Sequence, residues 1–335
     1  MSRKKNYNVI DIGKFVASFL VVAIHTHPLQ GVENTFVQRL FEVIASLAVP
    51  FFFICSSFFF FLNPDIRTYR QKIYKFVRYY VIWSIIYIPL TIYGIILDGS
   101  TVGKQILLLF RGYFLIGENY YSWSLWYLLA LIYSFSLICF LISKNVSTKS
   151  IGACSVGVYL VSCVVDCLVT NRDSLSGIMR FGTRALGAIF VNGRLFTAPI
   201  YIFIGYMLSL LYSRLIVKQS FIRKIATILV VVFGLLRCFI ANLWLDGWMK
   251  VAMSVCVFVV LLFTQLPDSI WFSRLRKLSV VVYFVHLYVY FIVQKISVRG
   301  QYGMAAFLWT VGISFVIGCI VVCCGKNNQL LKKIF

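Results

Sequence analysis

Long apolar runs recur along the whole chain, and they limit its fold more than any other feature. Each run approaches the roughly 20 residues that a helix needs to cross the hydrocarbon core of a bilayer. Of the 335 residues, 61% are hydrophobic and only 13% are charged, whereas an ordinary soluble domain has roughly 25% charged residues. The sequence therefore predicts an all-α, polytopic integral membrane protein. About ten transmembrane helices can be placed: Asn8–Leu29, Phe36–Leu62, Tyr74–Leu97, Ser122–Ser143, Ser150–Val169, Leu195–Tyr212, Ile222–Leu243, Trp248–Gln265, Leu278–Ile296 and Gly303–Cys324.

Lysine and arginine are divided unevenly between alternate loops, and this predicts the orientation of the chain. Twice as many basic residues fall on the side that holds both termini as on the other side. Because basic loops face the cytoplasm, we expect both termini there, in a multi-pass membrane protein. The same loops explain the net charge of +22, which therefore gives no support to nucleic-acid binding.

The rest of the chain gives no sign of a second domain. It has no glycine-rich nucleotide loop, internal repeat or low-complexity linker, so residues 1–335 are predicted to form a single membrane domain without a soluble domain. The first apolar run contains Asp11 and Lys14 and lacks a small-residue cleavage site, so we expect it to be retained. The ten cysteines lie almost wholly in the spans without zinc-ligand spacing, and no metal site is expected.

Polar residues share one face of the first span. At about 100° per residue, Lys14 and His25 fall within about 20° of each other, and Asp11 and Ser18 join them within about 60°. Since an ionised group in lipid costs about 2.5 to 3.5 kcal/mol or more, this face should meet protein or water. His25 suits a general base because free imidazole titrates near neutral pH, whereas the structural alternative is a packing histidine.

Other polar residues in the spans are secondary candidates. Glu42 lies about two turns into the second span, and His286 lies near mid-depth in the ninth. His286 shares a helical face with Tyr283, which either stacks on a ligand or simply packs. His27 points away from the polar face of the first span and is expected to be structural.

The longest segments outside the spans are residues 98–121 and 170–194, both predicted to lie outside the cell. Part of the first, Gln105–Leu115, is apolar and could lie along the membrane surface. The second contains one acid and four arginines, namely Asp173, Arg172, Arg180, Arg184 and Arg194. This excess of arginine opposes the orientation rule. It is explained by an anionic partner or a buried carboxylate such as Asp166, and equally by surface charge or a topology error.

Residues at the ends of spans also have two interpretations. Trp126 begins the fourth span among other aromatic residues, where interfacial anchoring is the simpler reading and stacking on a sugar ring is the alternative. Arg67, Arg70 and Lys72 suit the phosphates of a soluble cofactor, although the orientation rule explains them too.

Several motifs together carry a family resemblance. They are the Lys14 and His25 pair, Ala48-Val-Pro-Phe-Phe-Phe53, Leu125-Trp-Tyr-Leu128, Phe203-Ile-Gly-Tyr206 and Leu278-Ser-Val-Val-Val-Tyr-Phe-Val-His286. In kind and order they resemble the acyltransferase-3 family of multispanning bacterial acyltransferases, whose first helix carries an arginine and a histidine at the same spacing. The segments near His25 and Pro50 look most like the membrane domain of vancomycin-resistance serine racemases. This chain departs from the pattern at Lys14, Ser46 and Ser57, where relatives often have arginine, arginine and glycine.

The resemblance implies a ten-helix acyltransferase. It would take an acyl group, commonly acetyl, from cytoplasmic acyl-coenzyme A and deliver it to a hydroxyl of an extracytoplasmic glycan or lipid-linked sugar. In this hypothesis His25 is the general base, while Lys14 and Asp11 organise the path of coenzyme A. The cofactor phosphates would be held by Arg67, Arg70 and Lys72, and the secondary site candidates are Glu42, His286, Tyr283, Trp126, Arg184 and Arg194.

Two other functions remain open at the sequence level. A transporter or recognition module for a small amino acid such as serine would use Lys14 or an outer arginine for the carboxylate, and Glu42 or Asp166 for the amine. However, no paired interrupted helices recur in two halves of the chain. A membrane subunit whose chemistry is supplied by a partner is the third possibility. The sequence predicts no particular oligomeric state.

Overall fold

The computed structural model describes residues 7–63, 65–191, 193–240, 242–296 and 302–325. Within these ranges the chain is helical and contains no strand. The α-helices are α1 (Asn8–Thr26), α2 (Thr35–Ala45), α3 (Ala48–Phe61), α4 (Ile66–Ile86), α5 (Ile88–Asp98), α6 (Val102–Phe110), α7 (Trp126–Ser143), α8 (Thr148–Thr170), α9 (Gly177–Phe190), α10 (Ala198–Val217), α11 (Gln219–Phe239), α12 (Leu243–Phe263), α13 (Ile270–Ile296) and α14 (Met304–Cys324). A π-helix at Arg111–Ile116 continues α6, and short 3₁₀ turns lie at Trp123–Leu125, Arg172–Ser174 and Arg194–Thr197.

The helices confirm an all-α, polytopic membrane protein. In the part of the chain described, eight helical segments are long and apolar enough to cross a membrane, and a ninth is added if α4 and α5 form one bent span. The helix α11 lies where the seventh span is predicted and is 21 residues long, but Arg223, Lys224 and Arg237 make it less apolar. The count of ten spans is therefore approximate.

Two predicted spans are interrupted at prolines. The second span breaks at Ser46 between α2 and α3, and Pro50 falls in the first turn of α3, where a missing N–H costs little. The third bends by 54° between α4 and α5, and Pro89 lies in the first turn of α5. In both places the apolar run continues through the break, and α2 and α3 together form one candidate span, Thr35–Phe61.

The chain forms two compact units: unit 1 consists of Met1–Cys55 with Leu211–Phe335, and unit 2 is Ser56–Leu210. Both consist mainly of predicted spans, and the assignment of the chain to one membrane domain stays a prediction. The contacts below lie within one unit or the other.

Unit 1 is built on close packing of α1, α13 and α14. Gly318 of α14 lies so near α13 that an added Cβ would stand 3.1 Å from Leu278 Cδ2. On α1, a Cβ at Gly13 would stand 2.8 Å from Leu261 Cδ1 and 2.9 Å from Phe51 Cζ. Glycine at this position therefore lets α1 approach α3 and α12 closely, one residue before Lys14.

In unit 2, α4 and α7 pack through aromatic rings. The ring of Phe135 on α7 stacks on Phe60 at 4.2 Å and on Phe76 at 5.4 Å between centroids. Tyrosine hydroxyls from the same two helices reach the π-helix: Tyr80 donates to the carbonyl of Tyr113, and Tyr133 donates to that of Phe114. These bonds satisfy carbonyls in the π-helical segment and fix it against the spans.

Candidate functional site

The polar face of α1 lies against α13 in unit 1. Near the start of α1, Asp11 forms an ion pair with Arg276, with 3.4 Å between Oδ2 and Nη1. Further along, the His25 ring stacks on that of His286 with 5.3 Å between centroids and 27° between planes. Because residue numbers rise together along both helices, α1 and α13 run parallel. This agrees with their prediction as the first and ninth spans, which cross the membrane in the same direction.

Asp11 is buried near the beginning of α1, where two side chains of this helix bind the chain around α13. Its carboxylate meets the half-exposed guanidinium of Arg276, which makes this a charged link from α1 to α13. One turn before it, the Asn8 amide donates to the Leu266 and Pro267 carbonyls and to the Asp268 carboxylate. The beginning of α1 is thus held by residues 266–268, which precede α13, and by Arg276 within α13.

Lys14 is half-buried and follows Asp11 by one turn on α1. Ser18, by contrast, is buried with its hydroxyl donating to the Phe15 carbonyl of its own helix at 2.6 Å. The charged part of the stripe therefore consists of Asp11 and Lys14, and Ser18 acts as a packing residue.

His286 is completely buried, and its orientation is set by its own helix. Its Nδ1–H donates to the carbonyl oxygen of Tyr283 at 2.6 Å. This bond assigns the proton to Nδ1 and leaves the Nε2 lone pair free to accept. Within the described residues, Nε2 has no hydrogen-bond partner. The Tyr283 ring packs edge-on against His286 at 6.1 Å and against Phe52 at 5.6 Å, so aromatic rings surround the buried imidazole.

The two imidazoles differ in access. His25 is half-buried, whereas His286 is wholly buried. His25 is therefore the more accessible of the two rings. Two protonated rings with centroids 5.3 Å apart would repel each other, which favours a pair carrying one additional proton at most. Such a pair is suited to accepting and returning a single proton.

His27 lies at the end of α1 and caps it. It is exposed, closes the helix in a left-handed conformation with φ 47°, and stacks edge-on with Tyr302 at 5.6 Å. The adjacent carbonyl of Thr26 accepts a hydrogen bond from Gly303 at 2.8 Å. His27 thus belongs to a junction between the end of α1 and the beginning of α14.

Glu42, a secondary candidate from the sequence, is exposed on α2 and forms an ion pair with Arg39 at 3.5 Å. Arg39 also reaches Asp246, whose carboxylate is bound by the buried guanidinium of Arg237 through Nε at 3.0 Å and Nη2 at 3.2 Å. Arg237 Nη2 donates to Ser46 as well, at 3.1 Å. This network joins α2, α11 and α12, and it was not foreseen from the sequence.

In unit 2, Trp126 and Arg194 come together. The Arg194 guanidinium lies over the Trp126 ring, 5.1 Å from its centroid, and forms an ion pair with Glu118. Gly117 makes this possible: its φ of +71° suits glycine, and a Cβ there would press on the Trp126 backbone. Arg184 lies apart from this group on the exposed side of α9. Glu118 was missed because a lone acid in a polar loop gives no signal in one sequence.

The basic residues proposed for phosphate binding differ in their surroundings. Arg70 is exposed on α4 and free to meet solvent. The Lys72 ammonium donates to the Phe60 carbonyl at 2.7 Å and lies over the rings of Phe60 and Tyr69, so it caps the last turn of α3. The side chain of Arg67 falls outside the described residues. Nowhere in the described ranges do three or more His, Cys, Asp or Glu side chains gather as metal ligands.

Comparison with known protein families matches residues 7–325 to the acyltransferase domain family, acyltransferase-3. Three curated proteins are also similar. Two are amino-acid racemases of Enterococcus faecalis: one is 25% identical over 98% of this chain and 48% of its own length, the other 27% identical over 62% and 29%. The third is a serine/alanine racemase of Enterococcus gallinarum, 27% identical over 86% of this chain and 42% of its own length.

These relatives are longer proteins, and the chain spans about half of their length or less. Their names describe racemases, and these names refer to the whole proteins. The similarity therefore supports a shared membrane portion and does not carry racemase activity to this chain. No solved structure matches the chain.

Proposed function

Since this chain belongs to the acyltransferase family that matches residues 7–325, we propose that it moves an acyl group from cytoplasmic acyl-coenzyme A to an extracytoplasmic hydroxyl. The family makes the chain a multi-pass membrane acyltransferase. The proposal adds acetyl-coenzyme A as donor, a glycan or lipid-linked sugar as acceptor, and a bacterial plasma membrane with both termini in the cytoplasm. Its support is the site on α1 and α13 together with the distribution of basic loops.

The observation that carries the mechanism is the stack of His25 on His286. In the proposed reaction, the accessible imidazole of His25 removes the proton of the acceptor hydroxyl. The hydroxyl oxygen forms a bond to the thioester carbonyl carbon, and the carbon–sulfur bond breaks as the coenzyme A thiolate leaves. His25 then returns the proton to this thiolate, so the reaction consumes no proton and needs no metal. His286 acts as a positioning residue that holds the His25 ring by stacking.

Lys14 and Asp11 are proposed to organise the donor. The ion pair of Asp11 with Arg276 fixes the beginning of the polar face, and Lys14 follows one turn later on α1. Lys14 lies eleven residues before His25, about 16 Å along the helix, so its positive charge is proposed to guide the negatively charged coenzyme A towards His25. Because the ammonium group lacks the forked geometry of arginine, it acts as a point charge.

The coenzyme A phosphates are proposed to bind basic residues near the beginning of α4. Arg70 is best suited because it is exposed, and Arg67 lies one turn earlier in sequence. Lys72 is the weaker candidate, since its ammonium already binds the Phe60 carbonyl. Trp126, Arg184 and Arg194 stay proposals for the acceptor side.

The experiment is acyl transfer from radiolabelled acetyl-coenzyme A in membranes that contain the protein. The label should appear in a sugar-containing product, and mass spectrometry should identify an added acetyl group on it. A matched membrane with His25→Ala protein serves as the control. If the purified, well-folded protein neither binds acyl-coenzyme A nor labels any membrane component, the proposal fails.

Uptake of a small amino acid is the second candidate. One relative is named serine/alanine racemase, and its similarity to this chain covers 86% of the chain. Lys14 would bind the carboxylate of serine in that case. Vesicles with the reconstituted protein should then accumulate labelled serine, and Lys14→Ala should abolish the uptake. Acetyl transfer without serine uptake would leave the acyltransferase as the sole function.

A further inference from the structure

Two short helices of unit 2, α6 and α9, expose apolar side chains that no neighbouring helix covers. On α9, Ile178 is 90% exposed and Phe181 is 76% exposed. On α6, Val102 is 76% exposed and Leu107 is 70% exposed. With 14 residues, α9 is about 21 Å long, which is short of the roughly 30 Å of a bilayer core, and α6 is shorter still. Neither helix can cross the membrane, so both need another apolar environment.

Each helix is two-sided, with cations along one edge of its exposed apolar face. On α9, Ile178, Phe181 and Ile189 fall within about 80° of one another, and Arg184 follows about 60° beyond Phe181. Arg180 is half-buried and lies about 40° beyond Arg184, where this edge meets the inward-packed side of α9. On α6, the exposed side chains of Ile106, Phe110 and Leu107 fall within about 100°, with Lys104 about 60° beyond them. An apolar face bordered by cations is typical of a helix that lies in the membrane interface.

The two helices are also fixed to each other. Arg111, where α6 passes into the π-helix, donates from its guanidinium to the Ala188 carbonyl in the last turn of α9. A cation at this end of a helix is favoured by the carbonyls that have no partner in the helix. The opposite side of α9 is packed inward, with Thr183 buried and Gly187 against Val169 of α8. The exposed faces are therefore held in place by the fold.

The charges of the segment that contains α9 favour an anionic lipid. Asp173 is the single acid on this segment, and it pairs with Arg180 at 3.4 Å and Arg172 at 3.9 Å. Arg184 is exposed and forms no ion pair within the described residues. The surface therefore keeps a positive excess beside an apolar face. We propose that α6 and α9 lie in the membrane interface as one unit, and that Arg180 and Arg184 bind the phosphate of an anionic phospholipid.

This arrangement explains the arginine excess of the segment 170–194 without a change of topology. Basic residues are disfavoured on the outer side because they resist translocation, but a lipid phosphate compensates them once they are there. Guanidinium groups suit that role because they bind phosphate through two parallel hydrogen bonds. The inference concerns lipid binding alone and does not depend on acyl transfer.

The test places the photoreactive residue p-benzoylphenylalanine at Phe181 or at Phe110 of the full chain. The protein is reconstituted in nanodiscs that contain equal amounts of phosphatidylglycerol and phosphatidylcholine, and adducts are identified by mass spectrometry. Lipid adducts are expected at both positions, on the glycerol region and the first acyl carbons. At Phe181, phosphatidylglycerol should be enriched, and added salt should reduce the enrichment.

Matched variants separate charge from contact. Arg180→Gln combined with Arg184→Gln should lower the phosphatidylglycerol enrichment at Phe181 by about fivefold for each arginine lost. Arg214→Gln with Lys218→Gln removes the same charge elsewhere and should leave the enrichment unchanged. Val231 is an exposed residue of the long helix α11, and the probe placed there should give acyl-chain adducts. The lipid composition of these adducts should not change in either double variant.

Three results would overturn the proposal. One is adducts at Phe181 that lie at the ends of the acyl chains, since these would place α9 deep in the bilayer. Another is crosslinks between protein copies in place of lipid adducts, which would make the face a protein interface. The third is an enrichment that persists in the double-glutamine variant, provided that this variant elutes as a single species and retains the helix content of the parent.

Discussion

Replacement of Arg237 by leucine should destabilise unit 1 strongly, because the guanidinium is only 2% exposed and binds Asp246 through two hydrogen bonds. The variant Arg237→Leu loses those bonds and the bond to Ser46. Removal of one partner of a buried pair costs about 3 to 5 kcal/mol. Asp246 keeps Arg39 at 3.2 Å and remains partly exposed, so the lower end of the range is expected.

The assay is thermal denaturation of the detergent-solubilised protein, followed by size-exclusion chromatography of what remains folded. A loss of about 3 kcal/mol corresponds to a fall in midpoint of about 4 °C for a chain of 335 residues, at about 2.1 cal/mol/K of unfolding entropy per residue. Asp246→Leu should be at least as damaging, since it strands a guanidinium that is more deeply buried. The double variant Arg237→Leu/Asp246→Leu should be more stable than the sum of the two losses predicts, because it leaves no unpaired charge. Full stability of Arg237→Leu, or strict additivity in the double variant, would refute the pairing.

Four further outcomes are expected. His25→Ala should lower acyl transfer about a hundredfold or more while coenzyme A binding stays nearly intact, since general-base catalysis raises a rate by about 10² to 10⁴. His27→Ala should retain most activity, and equal losses in the two variants would argue against His25 as the base. Lys14→Ala should weaken binding of acyl-coenzyme A in a titration, whereas Lys14→Arg should restore much of it because the charge returns. Gly13→Val should cost about 1 to 3 kcal/mol of stability through overpacking against Leu261, measured by the same thermal assay, and an unchanged midpoint would contradict the close approach. In a chain without native cysteines, Ser174→Cys should react with an impermeant thiol reagent from outside the cell, and labelling confined to the cytoplasmic side would reverse the proposed topology.

The polar face of α1 was predictable because a charged residue in an apolar helix has few tolerable surroundings. Its partner Arg276 was not. Hydropathy begins the ninth span at Leu278, since the basic residues before it lower the local average, but the helix starts at Ile270 and carries Arg276 alongside Asp11. A helix can continue beyond the hydrocarbon core at no cost, and apolar content reports only the part inside it.

Pairings between distant parts of the chain were also out of reach. The sequence indicates that His286 lies within a span, yet only the packing of α1 on α13 places it against His25. Arg237 and Asp246 are near in sequence but stand on separate helices, and Ser46 joins them from a third region. One sequence gives the spans through their apolar length and the polar face of a helix through periodicity, whereas the neighbours of each helix follow from packing.

The parallel contact of α1 with α13 has a consequence for how the protein is made. The first span enters the membrane early in synthesis, while its polar face acquires Arg276 and His286 only after the ninth predicted span has been inserted. Until then Asp11 and Lys14 must rely on each other, on water or on the insertion machinery for shielding. Chains that stop before α13 should therefore be held at the translocon or degraded, even though every earlier helix is complete.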